Sequence, residues 1–173
     1  MQIHNRSEQI LRPARYSVIF MSLAAGAFIN FLPTNTWPGI PDFALLALCI
    51  WAVREGQMVG LGTAFILGVI VDVADAAVFG QHALAYVLAT FSARELSRRI
   101  LWFPLSLQAL HIFPVFLVTL LIQGVIRYWI GDSNPHWSFY ISAASSALLW
   151  IPVTILLLLP QLQPHERDEN RPI

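Results

Sequence analysis

The sequence predicts an all-α polytopic membrane protein with six transmembrane helices. Hydrophobic residues make up 57% of the chain and charged residues only 12%. The apolar residues are gathered into runs that short polar turns separate. A soluble domain carries roughly twice as much charge, about 25%, so this composition argues against a globular core and for helices that face lipid. The formal net charge is zero, so no overall positive charge points to nucleic acid as a partner.

The apolar runs divide the chain into three regions. Residues 1–15 are predicted to form a cytoplasmic tail, residues 16–160 the six-helix transmembrane domain, and residues 161–173 a charged cytoplasmic tail. The single cysteine, Cys49, lies within an apolar run and has no second cysteine with which to form a disulfide.

The first two predicted spans flank a proline-rich loop. The first covers residues 16–32 and the second residues 43–53. Asp42, at the end of the loop, is suited to accept hydrogen bonds from the first free amides of the second helix. The second span is shorter than the roughly 20 residues that cross a bilayer. It therefore begins within the loop, tilts, or lies where the bilayer is thin.

The third predicted span, residues 57–78, carries small residues at every fourth position of one helix face. Such a stripe lets another backbone approach closely. Asp72 continues the stripe, so its carboxylate is predicted to face protein rather than lipid. The residues of this packing stripe are Gly56, Gly60, Ala64 and Gly68.

Three further spans complete the bundle. The fourth is predicted over residues 82–93, followed by an arginine-rich amphipathic turn over residues 94–103. The fifth covers residues 105–130 and the sixth residues 139–159.

The arginines predict the orientation of the chain. With six spans, nine of the ten basic residues, all of them arginine, fall on the side of the two termini. Only Arg127 lies near the opposite side. Because basic residues concentrate in cytoplasmic segments, both termini are predicted to be cytoplasmic. The turn that follows Asp72 is then exterior.

The motifs of common enzyme classes are missing from the sequence. It has no phosphate-binding glycine loop, no HExxH or CxxC pair and no GxSxG nucleophile. His82 and His111 are predicted near opposite membrane faces, which argues against a shared metal site. We therefore expect no enzymatic activity, no metal and no cofactor, and an intramembrane enzyme is the weakest of the alternatives.

Asp72 is the residue that most needs an explanation, since ionisable groups inside spans are costly and usually functional. One interpretation is a carboxylate that pairs inside the bundle and holds helices together. The others are ion coupling, ligand contact or a latch for a partner protein. His82, Gln123 and Arg127 lie at matching depth, and we expect Asp72 to pair with Arg127 or His82.

Several segments of the chain resemble one known family. They are the segment GVIVDVADAAVFGQHALAY (Gly68 to Tyr86), the proline–tryptophan loop before PDFALLALCIWAV, the arginine cluster, and FPLSLQAL (Phe103 to Leu110). Together they resemble the MreD family, bacterial inner-membrane proteins that determine rod shape. The matching positions are Asp72, Gly80, Gln81, His82, Ala83, Leu84, Phe103, Pro104 and Gln108.

The resemblance implies a scaffold that has no catalytic activity. It implies binding to MreC, a single-span protein, within the elongation complex that controls lateral peptidoglycan synthesis. The other implied partners, direct or indirect, are MreB, RodZ, RodA, a class B penicillin-binding protein and membrane lipid. The implied fold is similar to the six-helix substrate-binding subunit of energy-coupling-factor transporters. The candidates for structural or partner-binding roles are Asp72, Gly80, Gln81, His82, Gln108 and Arg127.

A small-molecule-binding subunit of a transporter is the alternative from another class. A ligand pocket needs several convergent polar groups. Asp72, His82, Gln123 and Arg127 would supply them near the exterior turn.

Overall fold

Six α-helices build the described part of the protein. The computed structural model describes residues 14–32, 39–131 and 137–161, and no strand occurs among them. The helices are α1 (Tyr16–Asn30), α2 (Phe43–Arg54), α3 (Leu61–Ala74), α4 (Gln81–Leu101), α5 (Leu105–Ile130) and α6 (Ser138–Leu158), and a 3-10 turn (Leu159–Gln161) follows α6.

Four helices, α1, α2, α5 and α6, agree with the predicted spans to within two residues at each end. The predicted proline–tryptophan loop at residues 33–38 lies outside the described residues, as does most of both predicted tails.

α3 is shorter than the predicted span over residues 57–78. Gly60, with extended backbone angles, is its N-cap, and Asp75 is its C-cap. The next residue, Ala76, has a φ of 47°, a conformation that does not continue a right-handed helix. The packing stripe is therefore helical only at Ala64 and Gly68, because Gly56 lies in the turn before α3.

α4 is longer than the predicted span over residues 82–93. It continues through the arginine cluster to Leu101, so the predicted amphipathic turn is the last part of a helix. Arginine favours helix formation, and positive charge is favourable near a helix C-terminus. Both effects extend α4 beyond its apolar part.

α2 lies at the centre of the bundle. All of its residues between Phe43 and Arg54 are buried, and α1, α4 and α6 pack around it. A helix that is apolar on all sides is stable when it is enclosed in this way. With 12 residues it is about 18 Å long, shorter than the roughly 30 Å hydrocarbon core of a bilayer.

The outer helices expose apolar side chains. α5, and α6 together with the 3-10 turn, are long and apolar enough to cross a membrane. Phe20 of α1 and Leu148 of α6 are each 74% exposed. In a membrane these faces would contact lipid or other helices.

Candidate functional site

The carboxylate of Asp72 caps the first turn of the neighbouring helix. Asp72 lies near the end of α3 and is 1% exposed. Its Oδ1 accepts from the backbone N–H of His82 at 2.8 Å. Its Oδ2 accepts from the backbone N–H groups of Gly80 at 2.9 Å and Ala83 at 3.3 Å. These are amides that a helix cannot satisfy from within.

α4 needs this acceptor because its own N-cap residue has no side chain. Gly80 occupies the N-cap position with a φ of 95°, which a glycine adopts at little cost. An N-cap Ser or Asp would accept from the second or third amide of the helix. Asp72 accepts from both of them, eight or more residues away in the sequence. The cap is thus a tertiary contact that joins α3 to α4.

The His82 side chain completes the set of donors around Asp72. Its Nδ1 lies 2.9 Å from Asp72 Oδ1, and its Nε2 lies 4.0 Å from Asp75 Oδ2. An ionised carboxylate only accepts hydrogen bonds, so a hydrogen bond between these atoms requires the His82 tautomer with a proton on Nδ1. A buried carboxylate is tolerated when it is paired and hydrogen-bonded, and the positive end of the α4 dipole stabilises it further.

Gly68, one helical turn before Asp72, brings the two helices together. A Cβ on Gly68 would lie 2.4 Å from Ala83 Cα and 2.6 Å from Ala83 N. Only glycine allows the α4 backbone this close, and the same approach brings the Asp72 carboxylate within reach of the α4 amides. Gly68 and Asp72 act together as the contact of an α3–α4 hairpin.

A second carboxylate cluster lies around Asp42, the N-cap of α2. Its Oδ1 accepts from the Leu45 amide at 2.9 Å and from Asn30 Nδ2 at 2.7 Å. Its Oδ2 accepts from the Tyr86 hydroxyl at 2.6 Å. Asn30 also accepts from the Phe43 amide at 3.0 Å. Asp42 therefore connects the end of α1, the start of α2 and the first part of α4.

The two clusters meet on α4. Tyr86 follows His82 by one helical turn, and their rings make an edge contact with centroids 5.8 Å apart. Four helices, α1 to α4, are thus connected by polar contacts at one end of the bundle. The sequence predicted Asp42 as a cap but did not connect it with Asn30 or Tyr86. The only signal for Tyr86 is its position one turn after His82 on an amphipathic helix.

The structure selects His82 from the two predicted partners of Asp72. The guanidinium of Arg127 instead lies over the Phe139 ring, 5.3 Å from its centroid, in a cation–π contact. Gln108, on α5, is distant in sequence from this network and donates from Nε2 to the Phe103 carbonyl at 2.8 Å.

Three buried side-chain amides, those of Gln81, Gln123 and Gln161, keep a donor without a partner in the described part of the chain. Gln81 is 1% exposed and Gln123 is 2% exposed. Nε2 of each makes no hydrogen bond in the part of the chain that the structure describes. Among the same residues, no three His, Cys, Asp or Glu side chains come close enough to hold a metal ion.

Comparison with known proteins identifies the family. The family model for rod shape-determining protein MreD matches residues 12–159. Rod shape-determining protein MreD of Haemophilus influenzae is 29% identical over 124 residues, which cover 68% of this chain and 72% of that protein. No solved structure matches the chain. Since the family model covers far more than half of the sequence, including the whole α3–α4 hairpin, the chain belongs to the rod shape-determining MreD family.

Proposed function

We propose that this protein is a non-enzymatic membrane scaffold of the cell-elongation complex. In this proposal it binds an MreC-like single-span protein and thereby helps to control lateral peptidoglycan synthesis. Its family membership supports a role in cell shape. The scaffold mechanism is a more specific inference. It is supported by the hydrogen bonds of Asp72, which are all made within the helix bundle.

The observation that carries the proposal is the saturation of Asp72. Each of its oxygens accepts two hydrogen bonds from α4 or its N-cap residue. A carboxylate that transfers protons or coordinates a moving ion needs a free position, whereas one that holds two helices does not. The acid therefore acts on bundle geometry, and the exposed apolar faces of the outer helices are left for lateral contacts.

The proposal includes six membrane spans with both termini in the cytoplasm of a bacterial inner membrane. Arg54 ends α2, and Arg98 and Arg99 lie in the last turn of α4. Asp42 and Asp72 cap the opposite ends of the same two helices. This separation fits a cytoplasmic arginine side and an exterior carboxylate side. A helix arrangement similar to the substrate-binding subunit of energy-coupling-factor transporters is part of the same proposal.

Capture from native membranes tests the scaffold role. The tagged protein, extracted in mild detergent, should copurify with an MreC-like single-span protein. A tagged six-span protein of unrelated function, expressed at the same level, should not. Absence of the MreC-like protein from the first sample, or equal amounts in both, would contradict the proposal.

A small-molecule-binding subunit of a transporter is the second candidate. The unpaired Nε2 donors of Gln81 and Gln123 favour it, because buried donors of this kind suit the oxygens of a ligand. Tight binding of a small molecule to the purified protein, together with failure to capture an MreC-like protein, would reverse the ranking.

A further inference from the structure

A groove of about 190 Å³ lies between α4 and α5. It opens to the outer surface, because Leu88 and Val118 in its lining are 39% and 53% exposed. We call it the α4–α5 groove. Its lining includes Leu88, Ser92 and Leu96 of α4 and Pro114, Val118 and Ile122 of α5.

The polar groups of the groove are already used by their own helices. The Ser92 hydroxyl donates to the Leu88 carbonyl at 2.9 Å. The hydroxyl of Thr119, which also lines the groove, donates to the Val115 carbonyl at 2.7 Å. The surface offered to an occupant is therefore apolar, as a hydrocarbon chain requires.

A positive charge lies beyond one end of the groove. Leu88, Ser92, Leu96 and Arg99 follow one another at steps of four, four and three residues, which places them on one face of α4. Arg99 is about 4.5 Å further along the helix axis than Leu96.

Arg99 makes no ion pair within the described residues. Its side chain is exposed, and no ion pair joins it to any described carboxylate. The exposed Glu95, one turn earlier on α4, is not paired with it either. The nearby Trp102 is 90% exposed, as is typical of a tryptophan at the level of lipid headgroups.

We propose that the α4–α5 groove and Arg99 form a binding site for one anionic phospholipid. The acyl chain would lie in the groove and the phosphate would contact the Arg99 guanidinium. Charge complementarity and the continuity of an apolar groove with an unpaired cation identify this occupant. Such a site goes beyond the scaffold role and does not depend on MreC binding.

Native mass spectrometry of the purified protein in detergent tests the headgroup contact. The wild-type chain should retain one phosphatidylglycerol in preference to phosphatidylcholine. Arg99→Gln should weaken phosphatidylglycerol binding about fivefold, the contribution of one basic residue near an anionic lipid surface. Its phosphatidylcholine binding should fall less, because the choline ammonium offsets the charge of the phosphate. Arg98→Gln is the matched control, because Arg98 is also exposed but projects about 100° away from Arg99. It should change binding less than twofold.

A second pair of variants tests the acyl contact. Val118→Trp should fill the groove and displace both lipids. Val125 lies on the same helix with nearly the same exposure, 54%, outside the groove lining, so Val125→Trp should displace neither. Each variant should first show the elution volume and thermal unfolding midpoint of the wild type.

Four results would overturn the proposal. Equal losses in Arg98→Gln and Arg99→Gln would show general attraction to negative charge. Unchanged lipid binding in a folded Val118→Trp would exclude the groove. Displacement of phosphatidylglycerol by free glycerol phosphate would indicate a site for a soluble anion, and displacement by an acidic peptide would indicate a protein partner.

Discussion

Asp72 supplies to α4 what Gly80 lacks. A helix whose N-cap is glycine leaves its early amides to water, and at this position there is little water because Asp72, His82 and Ala83 are buried. An acceptor from another helix can bind these amides only if that helix is held in place. The capping of α4 by Asp72 therefore depends on the whole packing contact between α3 and α4.

We expect Asp72→Ala to destabilise the protein by about 2–3 kcal/mol, because buried donors that lose their acceptor cost about 1–3 kcal/mol each. Thermal unfolding in detergent, followed by tryptophan fluorescence, measures the effect. Asp75→Ala is the matched control. Asp75 has the same charge in the same hairpin, but its nearest ion-pair atom is 4.0 Å away. A loss as large for Asp75→Ala as for Asp72→Ala would contradict the cap.

Gly68→Ala should destabilise the protein by about 1–3 kcal/mol, the usual cost of overpacking. The added Cβ would lie 2.4 Å from Ala83 Cα, and backbone atoms cannot rotate out of the way. The comparison is Gly62→Ala on the same helix, where a Cβ meets nothing within 4 Å. That change should stabilise α3 by about 0.5–1 kcal/mol. If both variants unfold at the same temperature, the close approach at Gly68 does not determine the stability of the protein.

Sequence reasoning found the main residues of the site but not all of their contacts. The four-residue periodicity of small residues on its helix was sufficient to predict that Asp72 faces protein. His82 and Arg127 were equally acceptable partners on depth alone, since depth does not specify the rotation of a helix. Tyr86 was missed because its acceptor, Asp42, is 44 residues away.

At the scale of elements, α4 holds the first half of the bundle together. It packs against α2, α3 and α5, and two carboxylates from other elements bind its N-terminal half. Asp72 connects it to α3, and Asp42 connects it to α1 and α2. Loss of the Asp42 connection should weaken the packing of α4 on α1 and α2, whereas the α3–α4 hairpin should remain intact.

We expect Tyr86→Phe to destabilise the protein by about 1.5–3 kcal/mol, the range for a hydrogen bond to a charged group. The hydroxyl bond to Asp42 is 2.6 Å long, and Asp42 Oδ2 would lose its donor. Tyr128→Phe removes a hydroxyl from a tyrosine that is 64% exposed and should have almost no effect. Both variants can be compared in the same unfolding assay. Equal midpoints would show that the Asp42–Tyr86 bond does not contribute to stability.

At the scale of the molecule, the arginines and the Asp42 and Asp72 carboxylates lie toward opposite ends of α2 and α4. The described arginines of α2 and α4 lie at their C-terminal ends, and the carboxylate network lies at their N-terminal ends. The proposed orientation follows from that separation.

Cysteine labelling tests the orientation. In a Cys49→Ala background, Phe79→Cys should react with a membrane-impermeant maleimide in intact cells, because Phe79 is 73% exposed in the turn between α3 and α4. Arg98→Cys, at the other end of α4, should react only after the cells are permeabilised. The reverse pattern would invert the topology. The wild type, whose Cys49 is 0% exposed, should remain unlabelled.

Cell shape gives the readout for the whole protein. Asp72→Ala should cause rounding of rod-shaped cells, whereas Cys49→Ala should not, since it removes only a small group from the core. Immunoblots should verify equal amounts of both variants in the membrane. Wild-type shape in both strains would limit Asp72 to a packing role without consequence for function.

The sequence by itself determined the helical class, the bounds of α1, α2, α5 and α6, and the MreD resemblance, which the family match confirms. These follow from local signals: apolar runs, caps and a short motif. It did not determine that α2 is the enclosed helix, because a side chain in the bundle centre and one in lipid are equally apolar. The predicted α3 was too long, because the positive φ at Ala76 has no local sequence signal. The predicted α4 was too short, because we expected the helix to end where the arginines begin.

Only the tertiary structure decided what Asp72 does. The motif placed an acid on α3 and a glycine before α4, but a helix cap that crosses between helices depends on their distance. Gly68 decides that distance by letting Ala83 approach. A hydrogen bond exists only within a few tenths of an ångström of its ideal length, and this precision comes from packing rather than from any local sequence signal.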